Sequence, residues 1–554
     1  MEKSSFVNRE FVAFLATTAA LLGASPRANG WTSTQFTSSW FGRDSNWTTG
    51  TNWSAGTSPP LVPLPSHPWY TLINPIDNST TKVEPAVSVS NGQSSWYLVT
   101  LVLQTGSSVT QNSGTITIQQ NFQVGWRQSA SYNLTGGTLA LSGGGLNTEI
   151  NVSSDSVFTQ TGGAVTVDSN GFLSVAADSV GMGTFYYNTG GGTYYLEGGT
   201  VNCPSLRVGN SSVNSSNALF SFSGGTLTTG SITLTNGGRF QYDSLAGTAT
   251  STTPFIVNGG VIDVPSLNAA LTLKSNVSVT GAIGLTKIGN GVLSLTSNLT
   301  SSSTISVTQG TLVLSGKSNV LASVVGNSGA LTVGAGTSLT SGSVDLGTLT
   351  INGVHTLSAP SGAASVVRVF ILAGSANNWT GDLNITTNKL IIEDAISHAT
   401  TLATTQNQVA YAKTHTGGIA SSTLPANDGI AVIDNSIANF STFGGTAVDP
   451  NSILIAPELL GDTNADGHVD LSDLSVVLNN FGASTAAWTS GNFDNAATID
   501  LTDLSDVLNN FGLINPNASG LTGGIGATET PEPTSLAFLS FGAGVMSTRR
   551  RRNR

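Results

Sequence analysis

A single cysteine, Cys203, stands in a chain of 554 residues. No disulfide within the chain, no thiolate metal cluster and no dithiol redox pair can therefore form. Its surroundings, Val201-Asn202-Cys203-Pro204, read as strand, so we expect a packed small side chain rather than a nucleophile. Charge is almost as scarce, at 9% Asp, Glu, Lys and Arg together. The 19 basic residues are outnumbered by 30 acidic ones, for a net charge of -11. That balance excludes a nucleic-acid partner, whose binding rests on Lys and Arg neutralising phosphates. Long apolar runs are missing too: neither Phe11 to Leu22 nor Leu536 to Met546 reaches the roughly 20 residues that a spanning helix needs. What fills the chain is Gly, 65 of them, with Ser, Thr, Asn and β-branched residues between. This composition suits many short strands joined by tight turns and does not suit disorder, which needs high charge and few β-branched side chains.

The two ends read as addresses. Residues 1–28 place Lys3 and Arg9 before the apolar run and small residues, Gly23, Ala24 and Ala28, after it, the order of a secretory signal peptide cleaved after Ala24 or Ala28. At the other end Pro531, Glu532 and Pro533 precede the second apolar run, and Arg549 to Arg552 with Arg554 close it. A helix from Ser535 to Thr548 would be about 20 Å long, and its arginines would stay cytoplasmic while everything upstream is exported. This tail resembles the PEP-CTERM sorting signal of Gram-negative bacteria. The resemblance implies transient inner-membrane contact through residues 531–554, processing by an exosortase-type peptidase, and delivery to the cell surface or extracellular matrix.

Between the ends a Gly pair followed by alternating residues recurs, at Gly136-Gly137-Thr138-Leu139, Gly162-Gly163-Ala164-Val165, Gly198-Gly199-Thr200-Val201, Gly224-Gly225-Thr226-Leu227 and Gly259-Gly260-Val261-Ile262. Starts roughly 26 to 36 residues apart suit the coils of a solenoid. Alternation after each pair makes one face of a short strand apolar, and a single coil cannot bury that face alone, so coils must stack. The stretch Gly284-Leu285-Thr286-Lys287-Ile288-Gly289-Asn290-Gly291-Val292-Leu293-Ser294-Leu295, with Gly310-Thr311-Leu312-Val313-Leu314, resembles the autotransporter-associated β-strand repeat, which implies a right-handed parallel β-helix. We expect a mainly β chain: a β-helix stalk over 29–330, a second β-rich unit over 331–460 with a short helix or loop at Tyr411 to Gly418, and a final strand at Ile453 to Ala456. Trp47 and Trp53 near the start suit a cap on the first coil or a platform for sugar rings.

The sharpest constellation is Asp462-Thr463-Asn464-Ala465-Asp466-Gly467-His468-Val469-Asp470-Leu471-Ser472-Asp473. Oxygen-bearing side chains Asp462, Asn464, Asp466, Asp470 and Asp473 hold positions 1, 3, 5, 9 and 12. Gly467 allows the sharp turn at position 6, and His468 offers its carbonyl at position 7, so the loop surrounds one calcium ion with oxygens. A helix carrying Leu471, Leu474, Leu478 and Phe481 on one face follows. Thirty residues on the unit returns with Asn492, Asp494, Thr498, Asp500 and Asp503, and a helix carrying Leu501, Leu504, Leu508 and Phe511. Here Ala496 and Ala497 replace the ligand at position 5 and the Gly, and Asp500 with Asp503 equally suits helix capping without metal. The duplicated loop-helix over 461–515 resembles a type I dockerin. The resemblance implies two calcium ions and a cohesin-like protein module as partner, contacted through Leu471-Ser472 and Leu501-Thr502. A Gly, Asn and Thr-containing linker, 516–530, leads to the tail.

These readings point to an exported structural or adhesin-like surface protein, with two alternatives. A polysaccharide-degrading β-helix enzyme needs paired carboxylates or a base beside calcium or Arg. In the sequence Asp155, Asp168, Asp178, Glu197, Asp243 and Asp263 are scattered singly, His67, His355, His398 and His415 are isolated, and Glu393-Asp394 is one adjacent pair. A non-catalytic binder of cell-surface polysaccharide would use Tyr186, Tyr187, Tyr194 and Tyr195, which equally suit a ladder on a strand face.

Overall fold

The computed structural model describes residues 108–515 except 126–128, 143–147, 177–190, 211–216, 246, 360–363, 394–396 and 486, together with the strands Thr37–Trp40, Tyr70–Ile73, Ala86–Val89 and Trp96–Leu103. The expected signal peptide, Trp47, Trp53, His67, Asp178, Tyr186, Tyr187, Asp394, the expected 516–530 linker and the Pro531-Glu532-Pro533 tail lie outside the described residues. The protein is mainly β, with 51% strand against 11% helix. It divides into two compact units, Met1–His355 and Thr356–Arg554.

The first unit is a β-solenoid. One ladder runs in parallel from Thr115–Val124 through Thr138–Leu141, Ala164–Val167 and Thr200–Val208 to Thr226–Thr235 and Phe255–Asn258. A second, also parallel, stacks Ser131–Leu134, Ser156–Gln160, Gly192–Leu196, Ala218–Phe222 and Arg239–Tyr242. The Gly pairs are the corners between them. Gly137, Gly163, Gly199 and Gly225 all have φ between 64° and 81° and stand in one column, and a Cβ on any of the last three would lie 2.4–2.6 Å from the carbonyl oxygen of the Gly one coil before. The same carbonyls accept the next coil's first strand bond, as when Thr200 N donates to Gly163 O at 3.0 Å. Only Gly permits both the left-handed φ and this approach. From Ala270–Leu273 onward the coils tighten, Val292 pairing with Thr311, Thr311 with Ala330 and Ala330 with Thr348. The strand Ser318–Val333 runs unbroken through residue 330, so the division between units falls at 355/356 and not at the 330/331 boundary expected from the thinning of Gly pairs. Shorter coils need fewer Gly pairs, and the repeat continues without them.

The solenoid interior is an aromatic column. Tyr132, Phe158, Tyr194, Phe220 and Phe240 occupy one register position on successive coils, with ring centroids 5.0, 4.4, 5.1 and 5.8 Å apart, and all are buried. Ile262 and Lys287 continue it. Polar plugs close the corners. Gln111 Nε2 donates to Gly114 O and Thr138 O at 3.2 and 2.9 Å while its Oε1 accepts from the Tyr132 hydroxyl at 2.5 Å. Gln160 repeats the device with Gly163 O, Thr200 O and Tyr194 at 3.3, 3.1 and 2.6 Å. In the tighter coils the Lys287 ammonium donates to the carbonyls of Ile288, Gly289 and Gln309 at 2.7, 2.7 and 3.2 Å. Buried turn carbonyls must find donors, and these long side chains deliver them from inside.

The second unit has a mixed sheet. Ala364–Leu372 pairs in parallel with Lys389–Glu393, which pairs antiparallel with Ser452–Leu459, and Asp428–Asp434 flanks that strand antiparallel on its other side. The expected final strand is thus central. A helix, His398–Ala412, crosses between Lys389–Glu393 and Gly418–Ala420, where the sequence reading placed a shorter helix or loop at Tyr411 to Gly418. Its Thr-rich text hid it, since β-branched residues lower helix propensity. Two further helices, Leu471–Asn479 and Leu501–Asn510, each follow a loop and begin at an acidic N-cap, Asp470 and Asp500. The sheet and these loop-helix units share one core: Ile391, Ile433, Leu454 and Ala456 pack in a cluster with Val469, Val477, Trp488, Phe493, Ile499 and Val507.

Candidate functional site: the duplicated loop-helix

The first loop is wound around its own carboxylates. Asp462 Oδ2 accepts from Gly467 N at 2.8 Å, which Gly467 allows at φ +85°. Asn464 Oδ1 accepts from Asp466 N, and Asp466 Oδ1 from His468 N, both at 2.9 Å. Asp473 closes the loop, its Oδ1 accepting from Thr463 N and Oγ1 at 2.8 and 2.7 Å and its Oδ2 from Asp470 N at 2.9 Å. Asp470 Oδ1 caps the helix on Ser472 N at 2.7 Å. Asp470 and Asp473 therefore serve both as loop positions 9 and 12 and as the capping box of the helix, whereas Asp462, Asn464 and Asp466 have no part in the cap. His468 is exposed, and its backbone bridges antiparallel to Ile514.

Asp462 distinguishes them. It is fully buried, and its Oδ1 has no hydrogen-bond partner. Burial, then the negative charges of Glu458 and Asp473, pushes its carboxyl up to about 9. Glu458, buried on the neighbouring strand, is itself pushed up to about 7 by burial, against the pull of Lys389 and a hydrogen bond from Asn515. A capping carboxylate has no need of this position. Among the described residues no three His, Cys, Asp or Glu side chains converge as a ready metal cluster. The donor set of the first loop nevertheless suits a hard cation: carboxylate and amide oxygens around a sharp turn, with the buried Asp462 Oδ1 unpartnered.

The second loop copies the closure but not the donors. Asp503 accepts from Phe493 N and Asp500 N at 2.8 and 3.0 Å, Asp494 from Ala496 N at 2.8 Å and Asp500 from Thr502 N at 2.7 Å. Asn492 turns its Nδ2 onto the carbonyls of Thr485 and Ala496 at 2.6 and 2.9 Å, leaving a buried, unpartnered, neutral Oδ1. Thr498 is half-buried at position 7.

The leucine-rich face of each helix is largely exposed. Leu471, Leu478 and Phe481 are 71%, 54% and 48% exposed, and Leu501, Leu508 and Phe511 are 72%, 56% and 45% exposed. Val477 and Val507 face the core, with Leu474 and Leu504 partly buried against it. Ser472 and Thr502 are also exposed. The more conspicuous leucines thus form an apolar surface, repeated on both helices.

Several of the residues weighed for other chemistry are sealed or committed. Cys203 is buried, and burial pushes its thiol up to about 11. His355 meets Ser341 at 2.8 Å, but both are fully buried in the solenoid. His398 is held with one ring nitrogen 2.9 Å from Asp434 Oδ1 and the other 2.8 Å from Asn451 O. Tyr194 belongs to the interior column and is no sugar platform. No described helix is long and apolar enough to cross a membrane. Comparisons with protein-family models, with curated proteins and with solved structures find no match.

Proposed function

We propose that this is an exported surface or matrix protein whose solenoid stalk presents a calcium-stabilised, dockerin-like loop-helix pair for docking a cohesin-like protein module, with the Pro531-Glu532-Pro533 tail as a removable address. The observation that carries the reading is the buried, unpartnered Oδ1 of Asp462 inside a loop of oxygen donors. A divalent ion there would relieve the crowding of Asp462, Asp466 and Asp473, and Asn464, the His468 carbonyl and Asp470 would complete its shell. The exposed Leu471-Ser472 and Leu501-Thr502 pairs, with Leu478 and Leu508 beside them, supply the docking surface.

Calcium binding to the folded state alone adds RT ln(1 + [Ca]/Kd) to stability, about 2.7 kcal/mol at a hundredfold excess over Kd. Thermal melts of the protein in calcium and in chelator test this. The transition of the second unit rises in calcium, and Asp462→Ala abolishes the rise. Equal melting temperatures in the two buffers refute the reading.

A further inference from the structure

The second loop carries three carboxylates, Asp494, Asp500 and Asp503, with Asp506 one turn into its helix, yet it lacks the donors of the first. Position 1 is an amide, and Ala496 and Ala497 stand where the first loop has Asp466 and Gly467. One basic side chain reaches it from outside. Lys413, at the C-cap of helix His398–Ala412, donates its ammonium to the carbonyl of Phe493 at 3.0 Å, between Asn492 and Asp494. Burial lowers that ammonium below the usual lysine range, and the negative charges of Asp494, Asp506 and Asp503 pull the other way, while Asp506 in turn feels Lys413.

We propose that Lys413 is the resident cation of the second loop, a tethered ammonium in place of a second calcium ion, so that each chain takes up one calcium, at the first loop.

The chemistry of the two loops supports this division. In the first, the charges acting on Asp462 are those of Glu458, Asp473 and Asp466, all negative, and no Lys or Arg counters them, so an ion from solution is the counter-charge we assign to it. In the second, a neutral amide replaces the buried carboxylate and a fixed single charge suffices. An ammonium offers only donors, and a backbone carbonyl is an acceptor it satisfies directly. The tether also has a structural consequence, because Lys413 lies 80 residues before Phe493 and ties the 398–412 helix to the C-terminal pair.

The proposal rests on the calcium reading of the first loop, and the test separates the two. Calcium bound per chain is measured by titration calorimetry and by metal analysis after dialysis, on the full chain and on Asp462→Ala and Lys413→Met. We expect one calcium in the unaltered protein and none in Asp462→Ala. Lys413→Met should keep one calcium and melt roughly 2–4 °C lower in calcium-saturated buffer, the shift of about 1 kcal/mol in a unit of this size. Two ions in the unaltered protein, or one retained by Asp462→Ala, overturn the role of Lys413 while leaving calcium binding in place. No bound ion at all overturns both. An unchanged melting temperature in Lys413→Met also overturns the proposal, and should that variant fail to fold, the stoichiometry of the other two proteins still decides.

Discussion

Removing one oxygen from the solenoid interior should destabilise it more than removing the same atom from its surface. Tyr194 stacks on Phe158 and Phe220 at 4.4 and 5.1 Å and donates its hydroxyl to Gln160 Oε1 at 2.6 Å. Burial raises its phenol well above the usual tyrosine range, so the group remains a donor at any ordinary pH. Tyr194→Phe keeps the ring, opens no cavity and leaves Gln160 Oε1 buried without a donor. The Gln160 side chain cannot swing away, because its Nε2 holds the carbonyls of Gly163 and Thr200 at 3.3 and 3.1 Å. A buried acceptor left unsatisfied costs about 1–3 kcal/mol, and with the partner immobilised we expect about 2 kcal/mol. A stacked repeat distributes this among neighbours, so the assay is amide hydrogen exchange resolved by coil, supported by denaturant melts. Protection should fall in Gly192–Leu196 and in the adjoining Ser156–Gln160 and Ala218–Phe222 strands. The control is Tyr195→Phe, one residue on and facing the other way, which should stay within about 0.5 kcal/mol of the unaltered protein. If Tyr194→Phe is as mild as the control, the polar plugs do not hold the corners together.

Two further tests address the solenoid. Burial lowers His355 from its ordinary 6.5 to about 4, so its stabilising share is intact above pH 6.5 and lost as pH falls toward 4, about 3 kcal/mol at most. Glu149 runs oppositely: burial, only partly offset by the Ser174 hydroxyl and Arg207, raises it from 4.5 to about 7, so its share is intact below 4.5 and lost as pH rises toward 7. Urea melts between pH 4.5 and 6.5 should therefore show, relative to the unaltered protein, Glu149→Gln losing stability on acidification and His355→Gln gaining it, and the same direction of difference in both variants would contradict the assignment. Gly163→Ala places a Cβ 2.6 Å from Gly137 O at φ +65°, whereas Gly336→Ala has φ +71° and nothing within 4 Å. The second should cost about 1–2 kcal/mol for the left-handed backbone alone, and the first clearly more in the same melt; equal losses would mean that the corner column is not close-packed.

Local pattern carried much of this protein's description. Alternation after each Gly pair announced short strands with one buried face, and 65 Gly with a single Cys announced turns rather than cross-links. The duplicated acidic loops with their helices were equally plain, because capping and cation binding both fix residue type at fixed spacing over a dozen positions. Tertiary structure decided what depends on neighbours far along the chain. The Gly pairs thin out near residue 330, yet the ladder continues past it, because a tighter coil pairs Ala330 with Thr348 without them. Spacing could not say which helix face is covered: Val477 and Val507 turn into the shared core, while Leu471, Leu478, Leu501 and Leu508 stay outside it. Nor could it show that Asp462 is stranded in the core while Asp470 caps a helix at the surface, or that Lys413 reaches the second loop. Burial and the meeting of distant charges are properties of the folded chain, and on those rests the difference between two loops that read alike.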